Sequence, residues 1–73
     1  MPLETITAPL PGKIINISVN LGDEVAEGAE ICTIESMKME NPILSPVLGI
    51  VKEIKVASEQ TLKIGDVIAV IEY

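Results

Sequence analysis

A six-residue segment, residues 35–40, has the residue types and the spacing for covalent chemistry. It places one lysine between two methionines, in the order Glu-Ser-Met-Lys-Met-Glu. The ε-amine of a lysine is a nucleophile that can be acylated once it has lost its proton. Two large apolar side chains beside a lysine also depart from the polar composition that is usual in an exposed turn. Lys38 is therefore the candidate for a covalent modification.

Taken alone, Lys38 has a plainer interpretation as a solvated turn charge, and methionines commonly fill irregular gaps in a core. The surroundings of the segment argue against it. Residues 36–39 lie between two strand-like runs, which predicts a tight hairpin although the turn has neither Asn-Gly nor Gly. A primed hairpin turn needs positive φ, which costs a Met or Lys roughly 1 kcal/mol or more. Such strain tends to persist where a function holds it.

The rest of the chain offers no catalytic set. It has no His and no G-x-x-x-x-G-K-[ST] phosphate loop, and its carboxylates are scattered without metal-ligand spacing. Cys32 lies inside the apolar run 31–34 and has no His to activate it, so we interpret it as a small buried hydrophobe. We predict a chain that is not an enzyme by itself, with no catalytic residue and no metal site.

The elements that must position Lys38 come from an internal repeat. Residues 8–35 align without a gap on residues 45–72, at an offset of 37. Matching pairs include Pro9 with Pro46, Gly12 with Gly49, Ile17 with Ile54, Val19 with Val56, Gly28 with Gly65, Ile34 with Ile71 and Glu35 with Glu72. Each copy reads as strand, turn, strand. The connector that contains Lys38 stands outside the repeat, and its counterpart is the pair of chain ends.

The repeat and the composition predict an all-β fold. No stretch of ten or more residues keeps a helical apolar stripe free of Gly, Pro or β-branched residues. The apolar runs 31–34 and 67–71 suit strands that are covered on both sides in a small sandwich or flattened barrel. We expect two half-domains related by a pseudo-twofold axis, with the lysine hairpin at one end and both termini at the other.

Charge narrows the range of partners. Eleven acidic residues against five lysines give a net charge of -6, which repels nucleic acid and anionic membrane surfaces. The apolar runs are far shorter than the roughly 18 to 20 residues that cross a bilayer, so no membrane insertion is expected. The single Cys32 excludes an internal disulfide, and the N-terminus shows no signal-peptide pattern. These features predict a cytoplasmic protein.

Across nearly its whole length the chain resembles the biotinyl domains, the biotin carboxyl carrier proteins of biotin-dependent carboxylases and decarboxylases. Their attachment signature is Ala-Met-Lys-Met. The upstream and downstream positions that carry the resemblance, besides Met37, Lys38 and Met39, are Ala8, Pro9, Gly12, Val19, Gly22, Asp23, Val25, Gly28, Glu35, Pro46, Gly49, Val51, Lys52, Glu53, Ile54, Gly65 and Asp66. Such agreement in order and spacing is far more specific than a four-residue match.

The resemblance implies a flattened eight-stranded barrel-sandwich hybrid formed by a single biotinyl domain over residues 1–73. It makes Lys38 the residue to which biotin is covalently attached. It makes the flanking residues Met37, Met39, Ser36 and Glu35 the ones that biotin protein ligase recognises. The further partners it implies are a biotin carboxylase and a carboxyltransferase or decarboxylase subunit, between which the carrier moves a carboxyl group.

The sequence departs from the family pattern at three places. Ser36 stands in place of the usual Ala, a small change that the turn should tolerate. Pro42 follows the hairpin and cannot donate to a strand ladder, which predicts an edge strand or a bulge. In the second copy Ser-Glu-Gln at residues 58–60 replaces Leu-Gly-Asp, so that loop must turn without its glycine. The protruding thumb of some acetyl-CoA carboxylase carriers is absent.

The sequence is also compatible with two alternatives to a biotin carrier. The first is a lipoyl or dual biotin and lipoyl carrier, which has the same fold but typically places its lysine between acidic and small residues. The second, of another class, is an unmodified barrel-sandwich interaction or adaptor domain, which fold alone does not exclude. The sequence does not specify the acyl-CoA or oxoacid of the parent reaction. It is also compatible with a freestanding subunit or a piece of a longer chain.

Overall fold

Eight β-strands form the regular structure of residues 2–73, the part of the chain that the computed structural model describes. No helix occurs among these residues. The strands are β1 (Leu3–Thr7), β2 (Gly12–Ile17), β3 (Glu24–Val25), β4 (Glu30–Ser36), β5 (Met39–Leu44), β6 (Gly49–Ile54), β7 (Thr61–Leu62) and β8 (Val67–Glu72). The all-β prediction is confirmed.

The strands form two four-stranded antiparallel sheets, which we call sheet 1 (β1-β8-β6-β3) and sheet 2 (β5-β4-β2-β7). Each sheet takes strands from both copies of the repeat, and the offset of 37 residues exchanges the two. The loop contacts obey the same relation. Ile14 N donates to Gln60 O at 2.8 Å, and its counterpart Val51 N donates to Asp23 O at 2.9 Å. The predicted pseudo-twofold sandwich is therefore confirmed.

The core lies between the sheets and is built from aliphatic side chains. Its buried members, most of them Ile or Val, are Ile6, Ala8, Ile14, Val19, Val25, Ile31, Cys32, Ile34, Ile43, Val51, Leu62, Ile68, Ala69 and Ile71. Full burial of one such large side chain contributes about 1.5 to 3 kcal/mol. The two runs that alternate least in sequence belong to β4 and β8, which are interior strands of the two sheets. This position explains why their apolar residues are nearly continuous.

Gly12 lets β2 approach the end of β4 from which the lysine hairpin extends. A Cβ added there would lie 2.5 Å from both the Glu35 carbonyl oxygen and Ile34 Cγ2. Gly49, its counterpart, meets the carbonyl oxygen of Glu72 in the same way. A larger residue would push the two strands apart. Both copies therefore need glycine for close packing of main chain against main chain.

Two of the sequence departures are accommodated as predicted. Pro42 lies in β5, an edge strand of sheet 2, opposite Thr33 of β4. An edge strand tolerates the missing N–H because one side of it has no partner strand. The glycine-free loop turns at Glu59, whose φ is 74°. Its carboxylate forms a 3.1 Å ion pair with Lys13.

The chain ends occupy the position equivalent to the lysine hairpin. In sheet 2 the last pair of the β4–β5 ladder is Ser36 with Met39. In sheet 1 the equivalent residues are Tyr73 and Pro2, and Tyr73 N donates to Pro2 O at 3.0 Å. The repeat predicted this correspondence. In sheet 2 the chain runs through the lysine hairpin, whereas the equivalent position in sheet 1 holds the two ends of the chain.

Candidate functional site

The hairpin that carries Lys38 joins β4 to β5 through two residues, Met37 and Lys38. Their φ angles are 53° and 65°, so both lie in the left-handed region. Two successive positive φ values are the signature of a type I′ turn, the geometry whose twist matches that of the flanking strands. The predicted tight hairpin with positive φ is confirmed, in a turn that contains neither Gly nor Asn.

The two strands below the turn hold this strained geometry. Left-handed backbone costs a residue other than glycine about 1 to 2 kcal/mol, and the six-pair ladder between β4 and β5 offsets that cost. The Asn41 side chain adds a further constraint. Its Nδ2 donates to the carbonyl oxygens of Ile34 at 3.4 Å and of Met39 at 3.3 Å, so one amide bridges the two strands. The turn is therefore fixed from below.

The side chains of the turn project into solvent. Met37 is 93% exposed, Met39 is 66% exposed and Lys38 is exposed as well, while Ser36 is half-buried. The three ion pairs found within residues 2–73 all use other lysines. The Lys38 amine thus stands at the tip of the molecule between two exposed apolar side chains.

A row of charged side chains crosses sheet 2 directly below the turn. Glu35 of β4 lies opposite Glu40 of β5 on one side and opposite Lys13 of β2 on the other. Two like charges directly opposite each other are destabilising in a sheet. Lys13 offsets this only in part, because its amine pairs with Glu59 at 3.1 Å. The base of the hairpin is consequently acidic, and its field favours a basic partner surface, more strongly at low salt.

Strand pairing brings residues to the hairpin that were not predicted as site residues. Asn41, Glu40 and Lys13 were not among the predicted site residues, yet the structure brings them to Glu35 and the turn. Counting outward from the Ser36–Met39 pair would have placed Glu40 opposite Glu35. No local signal marks Lys13, which is far away in sequence. The predicted residues Glu35, Ser36, Met37, Lys38 and Met39 all lie in the hairpin, as their adjacency requires.

Other kinds of site find little support in the described part of the chain. Cys32 is fully buried, and burial, assisted by the nearby Glu30 carboxylate, raises the pKa of its thiol from 9.0 to about 11. The thiolate that reacts as a nucleophile is therefore scarce at neutral pH. Residues 2–73 contain no group of three or more His, Cys, Asp or Glu that could hold a metal ion. They also include no helix of the length and apolar character needed to cross a membrane.

Comparison with known protein families identifies the family of this chain. A family model for biotin and lipoyl attachment, described as "Biotin-requiring enzyme", matches residues 4–71. The chain belongs to this family. The family predicted from the sequence is thereby confirmed, and with it the expectation that biotin is the group the domain requires.

Curated relatives of this biotin and lipoyl attachment domain include both a carrier protein and long carboxylases. The biotin carboxyl carrier protein of Streptococcus mutans is 45% identical over 62 residues, which cover 85% of this chain and 48% of that protein. Mitochondrial pyruvate carboxylase of Mus musculus is 43% identical over 67 residues, 92% of this chain and 6% of the carboxylase. The chain thus spans less than half of the carrier protein and a small part of the carboxylase.

Solved structures agree with the fold. Urea carboxylase of Kluyveromyces lactis contains a region that superposes with a TM-score of 0.91 at 26% identity, covering 99% of this chain and 6% of that one. A single-chain, multi-domain long-chain acyl-CoA carboxylase gives a TM-score of 0.88 at 24% identity, over 93% of this chain and 7% of that one. The barrel-sandwich architecture that the sequence predicted is confirmed.

The geometry of the tip fits a covalently attached biotin. An amide link needs a primary amine that is exposed and that a modifying enzyme can approach. Lys38 meets this requirement, because it projects from a two-residue turn and takes part in none of the ion pairs of the described chain. A rigid turn also fixes where the attached group starts. The exposed Lys38 amine on this turn therefore fits the chemistry of an amide-linked group.

Proposed function

We propose that Lys38 is the residue to which biotin protein ligase attaches biotin, and that residues 1–73 form a single non-catalytic carrier domain. Its task is to move a carboxyl group between a biotin carboxylase and a carboxyltransferase or decarboxylase. The observation that carries the proposal is the position of Lys38 in a strained, fully projecting turn of a chain that belongs to the biotin and lipoyl attachment family. The names of the relatives, carboxylases and a carboxyl carrier, support the carboxyl-transfer role.

The attachment step uses the Lys38 amine as the nucleophile. The amine reacts as the neutral nucleophile, so the ligase first takes one proton from the ammonium. Lys38 Nζ then attacks the carboxyl carbon of biotinyl adenylate. A C–N bond forms, the C–O bond to the phosphate breaks, AMP leaves and the nitrogen gives up a second proton. The positive charge of Lys38 is lost, so the net charge of the chain changes from -6 to -7.

The other four lysines are worse acceptors for geometric reasons. Lys13, Lys52 and Lys55 each have the amine within 3.1 to 3.6 Å of a glutamate oxygen. Lys63 is exposed and begins a turn that is closed by a 3.1 Å main-chain hydrogen bond from Asp66 N to Lys63 O, but its neighbours are the buried Leu62 and the exposed Ile64, not methionines. Only Lys38 combines a projecting turn with flanking methionines. Lys63 is thus the natural control lysine.

A long arm on a rigid tip is what the carrier role requires. The domain measures 36 × 18 × 17 Å and is too large to enter an enzyme cleft, whereas the four methylenes of Lys38 extend the attachment point beyond the fold. Biotin, when bound, supplies a ureido ring that accepts and releases the carboxyl group. Tethering keeps that ring at a high effective concentration near each active site. The chain's own contribution is therefore reach, presentation and tethering.

The residues around Lys38 supply recognition by the ligase in this proposal. Met37 and Met39 offer two exposed apolar side chains that can become buried in a partner. Ser36 is small enough to leave the turn accessible, and Glu35 with Glu40 makes the approach acidic. We also place the carrier in the cytoplasm, where a reducing environment suits a chain whose single thiol is unpaired.

Mass spectrometry tests the proposal directly. The purified chain is incubated with biotin protein ligase, biotin and ATP, and its intact mass and peptide map are recorded. We expect one biotin adduct, on Lys38, in the unchanged chain and in a Lys63→Ala control, and none in Lys38→Ala. The Lys38→Ala change should alter stability by no more than about 0.5 kcal/mol, because the side chain is exposed in a turn. A biotin adduct on Lys38→Ala would refute the assignment.

Lipoate is the second candidate group, since the matching family covers lipoyl as well as biotinyl attachment. The same experiment is therefore repeated with a lipoate ligase and lipoate. A lipoyl adduct without a biotin adduct would move the chain to the lipoyl carriers, and both adducts would indicate dual use. If neither adduct formed, the unmodified interaction domain would be the better account.

A further inference from the structure

The exposed sulfur of the described chain is concentrated at the tip. Met37 and Met39, with exposed fractions of 93% and 66%, flank the proposed attachment lysine. Cys32, the only cysteine, is fully buried. The third methionine, Met1, lies outside the described residues. A small oxidant in solution therefore meets the two thioethers beside Lys38 without any unfolding.

Thioether oxidation needs nothing from the protein except access. Hydrogen peroxide transfers one oxygen atom to the sulfur: its O–O bond breaks, an S–O bond forms, the sulfide is oxidised to a sulfoxide and water leaves. An organic peroxide reacts in the same way and leaves as the alcohol. The thiol of Cys32 differs in kind, because cysteine reacts as the thiolate and burial raises its pKa to about 11. Cys32 is thus protected by cover and by protonation. The tip methionines have neither protection.

We propose that Met37 and Met39 are a modification site for peroxide-class oxidants, and that their conversion to sulfoxides blocks attachment of biotin to Lys38. The second half of this statement rests on the proposed function. A sulfoxide is polar and chiral where the thioether is apolar, so it disfavours the burial that the two methionines would undergo against a ligase. The exposure of both side chains shows that they contribute nothing to the core, and the fold itself should remain unchanged.

Two further consequences follow, one from the exposure of the two methionines and one from the proposed function. Met37, in the turn, should be oxidised faster than Met39, which is less exposed and pairs with Ser36 at the end of the ladder. Oxidation should also matter only before loading. Once the amide at Lys38 has formed, the ligase no longer needs the tip, so oxidants would prevent the loading of new chains without unloading old ones.

The test compares labelling before and after controlled oxidation. The chain is treated with hydrogen peroxide, sulfoxides are located by peptide mass spectrometry, and kcat/KM for biotinylation is measured. We expect sulfoxide at Met37 and Met39 and a fall in kcat/KM of about tenfold or more, where tenfold corresponds to 1.4 kcal/mol. Circular dichroism and Tm should be unchanged. Treatment with both methionine sulfoxide reductases, one for each epimer, should restore labelling.

A matched variant separates the tip from damage elsewhere. Met37→Leu combined with Met39→Leu keeps the apolar volume but cannot be oxidised, so its labelling should be the same before and after peroxide. The proposal is overturned if the chain that carries sulfoxide at both Met37 and Met39, as shown by its peptide map, is labelled at the rate of the untreated chain. It is also overturned if the double variant loses labelling after peroxide. If the untreated chain takes no biotin, the proposed function and the coupling fail together. The peptide map still decides independently whether the tip methionines are the oxidised residues.

Discussion

Replacing Gly12 by alanine should loosen the hairpin that carries Lys38. The added Cβ would lie 2.5 Å from the Glu35 carbonyl oxygen and from Ile34 Cγ2, whereas carbon atoms in comfortable contact are about 3.5 to 4.0 Å apart. Relief therefore requires β2 and β4 to separate by roughly 1 Å. One of the obstructing atoms belongs to the main chain, so rotation of a side chain alone does not remove the clash.

The size of the effect follows from the cost of overpacking. Extra methyl groups in a well-packed site cost about 1 to 3 kcal/mol, and the lower entropy of the unfolded alanine chain returns about 0.4 to 1 kcal/mol. We expect a net loss of about 1 to 2 kcal/mol in the free energy of unfolding. For a domain of this size that corresponds to a fall in Tm of roughly 4 to 16 °C.

The pseudo-twofold relation provides the control for this variant. Gly49→Ala introduces the same clash, with the Glu72 carbonyl oxygen and Ile71, but at the chain ends instead of the hairpin. Both variants should lose similar stability, measured as Tm by circular dichroism. Only Gly12→Ala should lower kcat/KM for biotinylation when both are assayed well below their Tm. Equal labelling by the two variants, or an unchanged Tm for Gly12→Ala, would show that the close approach does not position the tip.

Three further predictions concern the hairpin and the core. Asn41→Ala should cost about 0.5 to 1.5 kcal/mol and slow labelling, because its amide bridges the two hairpin strands; Asn16→Ala, whose amide bonds elsewhere, should leave labelling unchanged. Met37→Ala and Met39→Ala should each lower kcat/KM for biotinylation or increase use of lipoate at unaltered Tm, and unchanged kinetics in both would contradict their role in recognition. Because burial raises the pKa of Cys32 from 9.0 to about 11, the folded chain holds the thiol proton more tightly than the unfolded chain does. Its stabilising effect is complete below pH 9 and is lost between pH 9 and 11, so Tm should fall more steeply over that range in the unchanged chain than in Cys32→Val.

The internal repeat explains why much of the fold could be predicted from the sequence. An offset of 37 residues that preserves Gly12 and Gly49 as a pair implies two similar half-domains, and the absence of helical periodicity left strands as the only regular elements. The positive φ values at Met37 and Lys38 could be predicted because a two-residue connection between paired strands admits few geometries. The turn geometry was predictable because it depends only on residues that are adjacent in the chain.

The residues that lie near Lys38 in space were harder to predict from the sequence. Asn41 looked like an ordinary strand residue, and its bridging role depends on where its amide lies relative to Ile34 of the neighbouring strand. Lys13 reaches the hairpin only because β2 pairs with β4. Contacts of this kind depend on strand order in sheet 2, which a single sequence does not reveal.

Periodicity, repeat spacing and residue type were sufficient to predict the all-β class, the two related halves, the hairpin and the candidate lysine. The folded structure was needed to show which strands share a sheet, that Glu35 and Glu40 make the base of the hairpin acidic, and that Met37 and Met39 project into solvent. Exposure and electrostatic potential are properties of packed surfaces. They arise only when segments distant in the chain are brought side by side.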